Sequence, residues 1–160
     1  MVKHQSNEGP DVALLLEALG QQGLERREGG TPEGAAAPKK AILAVSGGNV
    51  RPTLTVNHRD PGAREQVDTL WHQEAERLKI FDQNGEFLLL ATYPGSLAKG
   101  WLRMKDSVGN HLPSRIAAAT GYRDFIAVSL DGKSLCAVSV EEYEDWIVTH
   151  SFEDARPKVQ

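Results

Sequence analysis

The chain has 160 residues, of which 40% are hydrophobic and 25% charged, and its formal net charge is −4. This is the composition of a globular chain with room for one ordinary domain and a short appendage. Its acidic balance excludes wholesale attraction to nucleic acid or anionic membrane, so any such binding has to come from a local basic face. Cys136 is the only cysteine. That excludes an intramolecular disulfide and a cysteine-built zinc site. No apolar run nears the roughly 18 residues of a membrane span. The opening MVKHQSNEGP lacks the apolar core of a secretory signal, and a cytoplasmic protein is expected.

In chain order, DVALLLEALGQQGLERRE (11–28) has its apolar residues at the start and a polar second half, and reads as a short amphipathic helix. Gly20 and Gly23 interrupt it at about 1 kcal/mol each. GGTPEGAAAP (29–38) is a linker by composition. A domain boundary is therefore expected near Lys39, with residues 1–38 a mobile arm or docking element and residues 39–160 the domain.

From there AILAV (41–45) reads as a buried strand, SGGNVRP as a loop, TLTV (53–56) as a second strand and NHRDPG as a turn. In AREQVDTLWHQEAERLKIF, the spacing of Val67, Leu70, Trp71, Ala75 and Leu78 draws one apolar helical face. FLLLATY (87–93) is near-continuously apolar, as in a sheet covered on both sides. WLRM is a further strand. Pro113 suits a helix's first turn, SRIAAAT continues it, and Gly121 stands where a left-handed cap is wanted. DFIAVSL and KSLCAVSV flank Asp-Gly, a strong hairpin signal that leaves Cys136 as a small core residue. In the tail, Ser139 and Glu142 fit a capping box, so a short helix is favoured there despite the β character of WIVTHSF. The sum is an α+β fold: a single domain with a small mixed sheet and packed helices.

Four features are candidates for chemistry. The first is the start of the 113–120 helix. Free backbone N–H groups and the partial positive charge there suit an anion, and Arg115 adds a fork of donors that fits phosphate. His111 is placed to donate a proton or add a contact. Read as residue types, Arg115 is equally a solvated charge on a small packing helix. The second is the run from Lys99 to Arg123, with Lys99, Arg103, Lys105, Arg115 and Arg123 against one acid, Asp106. Trp101 and Tyr122 are interleaved, so bases could stack while the cations meet phosphates; the alternative is a core tryptophan and solubilising charge. The third is SGGNVR (46–51), whose glycines would let amides approach a phosphate and whose Arg51 could point the same way, or which is a plain tight loop. The fourth is the acidic tail with Glu141, Glu142 and Asp145, either Mg²⁺ ligands or a solvated face. The histidines are too scattered for metal-ligand spacing, and no serine-hydrolase elbow is present.

The stretch SRIAAATGYRDFIAV, with Arg115, the alanines at 117–119, Gly121 and Ile126-Ala127-Val128, resembles the phosphate-binding helix and following strand of the ParB/sulfiredoxin superfamily. Within it the chain looks most like the small fertility-inhibition (oncogenic suppression) proteins of conjugative plasmids. The resemblance implies a nucleotide site at the helix start, held by Arg115 and Ser114 with Arg103, Lys105 and Arg51 in support. It also implies ATP binding and hydrolysis, with DNase action on transferred DNA that blocks conjugation or type IV secretion. The partners implied are DNA and a secretion or conjugation coupling protein. Nuclease or ATPase chemistry needs Mg²⁺, for which Glu141, Glu142 and Asp145 are the candidate ligands. A second reading makes the chain a non-catalytic immunity or inhibitor protein whose acidic tail or N-terminal arm docks on a basic protein partner.

Overall fold

The computed structural model describes residues 9–152, with side-chain environments from Val12 onward. Its elements are α1 (Gly9–Gln21), β1 (Leu24–Arg26), α2 (Pro38–Ser46), β2 (Leu54–Asn57), α3 (Ala63–Arg77), β3 (Glu86–Ala91), α4 (Ser96–Lys99), β4 (Leu102–Asp106), α5 (Leu112–Thr120), β5 (Phe125–Val128), β6 (Ser134–Val140) and β7 (Glu144–Ser151). The strands form one seven-stranded sheet in the order β1-β4-β3-β5-β6-β7-β2. Every pairing is antiparallel, so the sheet is not the mixed one expected.

The period-2 alternation of the central strands builds two cores, one on each face. Phe87, Leu89, Ala91, Phe125, Ala127, Cys136 and Val138 face one way and meet Leu19 of α1, Trp71 and Ala75 of α3 and Ile116 of α5. Leu88, Leu90, Ile126, Val128, Leu135 and Ala137 face the other way and meet Ala41 and Val45 of α2. All six residues of β3 are therefore buried, as its apolar run predicts.

Three expectations change. Residues 12–38 are not a detached arm, the start of the expected arm lying outside the described residues: Leu15, Leu19 and Leu24 lie in the larger core, and β1 pairs with β4. The linker-like stretch that follows is tied down by the Trp101 indole, which donates to the Ala36 carbonyl at 2.8 Å. AILAV is helical. Pro38 starts α2 at a position where its missing N–H costs nothing, and Ala41 and Val45, four apart, give the helix its buried stripe. The tail is strand β7, because pairing with both β6 and β2 outweighs any local cap: Ser139 belongs to β6 and Glu142 to the turn.

Cys136 is fully buried beside Trp71, whose indole N–H donates to the Cys136 carbonyl at 3.2 Å. Burial pushes its thiol far above the ordinary value of 9.0. The folded state thus holds the proton that the unfolded chain releases. Stability is intact below pH 9 and should fall above it by about 1.4 kcal/mol per pH unit. A thiol reagent added to native protein should leave Cys136 unmodified until denaturant unfolds the chain; fast modification of the native state would contradict this burial.

Candidate functional site

The helix expected to hold phosphate is α5, and its N-terminus does hold an anion. That anion is the protein's own Asp68. From α3, Asp68 accepts the Ser114 backbone N–H at 2.9 Å through Oδ1 and the Ser114 hydroxyl at 2.6 Å through Oδ2. His111 Nδ1 lies 3.3 Å from the same Oδ2. His111 precedes the helix in the left-handed conformation (φ 54°), which histidine tolerates better than most residues. Asp68 is 4% exposed. A carboxylate with these three partners fills the space a phosphate would take.

Arg115 points away from that site. Its Nε donates to the Asn110 carbonyl at 2.8 Å, and Nη2 reaches the same carbonyl at 2.6 Å. Nη1 donates to the Gln22 carbonyl at 3.0 Å. The two terminal nitrogens grip Asp106 as a fork, each at 2.8 Å. Five donors meet five acceptor contacts, which exhausts a guanidinium. The residue is a clamp that ties the end of α1, the end of β4 and the 107–111 loop to α5.

The other cations of the Lys99–Arg123 run fare similarly and do not share a face. Arg103 pairs with Glu86 at 3.0 Å, where Arg27 also approaches at 3.8 Å. Lys105 stands between Glu86 on β3 and Glu25 on β1. Both project to the α2 side, since they alternate with Met104, a residue of the opposite core. Arg123 is at the end of the sheet, 2.6 Å from Asp145. Arg51 is exposed on the α2–β2 loop, near His150 and on the other side of the sheet from α5. Gly47 ends α2, with its N–H on the Leu43 carbonyl, and does not follow a strand. Lys99 is in the last turn of α4; the three arginines of the run are paired with acids, two of which, Glu86 and Asp145, lie outside it in sequence.

The expected metal ligands also separate. Asp145, 3% exposed, sits between an imidazole and a guanidinium, with His58 Nε2 at 2.8 Å and Arg123 Nη1 at 2.6 Å. Glu141 accepts from the Ser139 hydroxyl at 2.7 Å, and Glu142 is exposed in the β6–β7 turn. Among the described residues no group of three His, Cys, Asp or Glu is arranged to hold a metal ion.

Asp68 and Asp145 both line a shallow cleft between α3, α5 and the end of the sheet, shared with Arg64, Ser114, Ala117 and Arg123. Its chemistry is limited by who bonds to whom. Ser114 donates to a carboxylate rather than to an imidazole, and His111 meets the same carboxylate oxygen. In a Ser–His nucleophilic pair the imidazole takes the hydroxyl proton directly, whereas here the hydroxyl bonds to Asp68 Oδ2. Asp68 and His58 are the residues that sequence reasoning missed. Asp68 left a signal: it falls on the buried stripe of α3 with Val67, Trp71 and Ala75, and an acid on such a stripe needs internal partners. His58 left none, because its partner is distant in sequence.

What stays accessible lies at the same end of the sheet, where three loops converge. The His58 N–H donates to the Tyr143 carbonyl at 3.0 Å, and Asp124 accepts the Val140 N–H at 2.9 Å. Arg123 and Asp145 complete the joint. Tyr122 and Tyr143 stand out from it, 51% and 68% exposed. Glu141, Glu142, Asp60 and Arg59 lie on the loops that meet here, and Arg64 and Arg123 line the groove beside Tyr122, so the surface carries both signs of charge. No helix among the described residues is long and apolar enough to cross a membrane. No family model, curated protein or solved structure matches the chain.

Proposed function

We propose that this chain is a non-catalytic binding protein of the immunity or inhibitor kind, which docks on a basic protein partner through the loops at the end of its sheet. The observation that carries the reading is the filled start of α5: Asp68 occupies it, and Arg115 has no donor left for a phosphate. Arg103, Arg115 and Arg123 are paired with the protein's own acids. The accessible groups at the end of the sheet suit recognition, since tyrosines supply large contact area at low entropic cost and the carboxylates of Glu141, Glu142 and Asp60 favour cations on a partner.

The nucleotide reading makes the opposite prediction, so one pair of measurements separates them. Under the binding reading, ATP or ADP with Mg²⁺ leaves the melting temperature unchanged. A nucleotide at a hundredfold excess over its Kd would instead stabilise by about 2.7 kcal/mol. In parallel, the tagged protein should retain a basic partner at one-to-one stoichiometry, and Y143A/E142K should lose it while melting normally. A nucleotide-induced shift that Asp68→Ala enlarges, by emptying the helix start, would overturn the reading.

A further inference from the structure

The two edges of the sheet are built differently. β1 exposes Glu25 and Arg26, and charged side chains discourage another strand from pairing there. β2 carries no charge along Leu54–Asn57. Among the described residues nothing pairs with its outer side. The register runs Leu54 to Ile147 and Val56 to Asp145, and the His58 N–H bonds to the Tyr143 carbonyl in the same register; the Thr53 N–H also turns to the Ile147 carbonyl, a bulge that ends the open edge at Leu54. Because antiparallel pairs alternate between bonded and non-bonded, Leu54 and Val56 bond to β7, while the N–H and C=O of Thr55 point outward. Thr55 is exposed on both counts, side chain and edge.

The segment Thr53-Leu54-Thr55-Val56-Asn57 also reads the same in polarity from either end. We propose that β2 is a self-association edge, where two copies pair antiparallel about a two-fold axis at Thr55 to make one continuous sheet. The Thr55 N–H of each copy then donates to the Thr55 carbonyl of the other. Leu54 of each copy faces Val56 of its mate on the α3 side, extending the larger core across the join, and the two Thr55 side chains meet as a cross-strand pair. A foreign strand would satisfy the same backbone groups, but the polarity palindrome fits a second copy, the partner that is always present at equal concentration. Pairing ends at the Asn57–Asp60 turn, where the Asp60 N–H closes on the Asn57 carbonyl. The proposal is independent of the partner-docking surface, which lies beyond that turn.

The test is light scattering on the full chain over a concentration series, with weight-average mass rising from 17.5 kDa towards twice that value. Thr55→Pro removes the outward N–H without touching a β2–β7 bond, and Thr55→Lys puts a gatekeeper charge on the edge. Each should weaken the dimer at least about tenfold, a change of about 1.4 kcal/mol, while Thr55→Val preserves it. A chain that stays monomeric at the highest concentration overturns the proposal. So does a dimer that survives both Thr55→Pro and Thr55→Lys in folded protein.

Discussion

Arg115→Ala should destabilise the fold by about 3 kcal/mol, because it removes the cation from the buried Asp106 carboxylate and leaves it only the Val108 and Gly109 N–H groups. Asp106 has a side chain only 3% exposed and Arg115 one 11% exposed, so water replaces little of what is lost. The change also orphans the Gln22 and Asn110 carbonyls. For a chain of this length each kcal/mol moves the melting temperature by roughly 2–4 °C, so a fall of about 6–12 °C is expected. Arg115→Lys should recover less than half of it, since a lysine places its donors at one point and cannot span a fork and two carbonyls. A phosphate ligand at the surface would behave differently: removing it would weaken ligand binding and leave the melting temperature almost unmoved. An Arg115→Ala protein that melts with wild type would therefore overturn the structural role.

The second large effect is expected at Asp145. Removing its carboxylate abolishes two charge-assisted hydrogen bonds, to His58 and Arg123, each worth about 1.5–3 kcal/mol. The two donor side chains are each about a quarter exposed, at 28%, and can recover some hydration. Asp145→Ala should accordingly cost about 3 kcal/mol, the low end of the sum of the two bonds. Urea unfolding measures it directly: the midpoint falls while the slope stays the same. If Asp145 served a metal instead, Mg²⁺ would raise the stability of wild type and not of the variant. The expected result is that Mg²⁺ changes neither.

How much of this was legible in the sequence depended on the range of the interaction. Patterns set by neighbours came through. These include the apolar stripe of α3, the buried run of β3, the Asp-Gly hairpin, and the Pro113 and Gly121 limits of α5, where Gly121 does adopt the left-handed cap. AILAV and the tail did not, because short apolar runs suit helix and strand equally and only their tertiary partners decide. The site fared worse, for a reason particular to charge. Arg115, Arg103 and Arg123 read as one basic run, yet Glu86 and Asp145, which neutralise two of them, come from β3 and β7. The residues at the helix start pointed to an external phosphate, and the structure puts the Asp68 carboxylate there. The anion itself, on α3, was hidden by distance along the chain.

The strand order carries a consequence for biosynthesis. Each edge of the sheet comes from the early part of the chain and joins a partner made much later: Leu24 aligns with Asp106, and Leu54 with Ile147. A chain emerging from the ribosome therefore carries both edge segments unpaired for most of its synthesis, and β2 last of all, since β7 is translated after every other strand. Such non-local closure slows folding and leaves strand edges available to neighbours on the same message. Nascent copies of this protein should thus meet while β2 is still unclaimed, and the order of translation itself sets how long that window stays open.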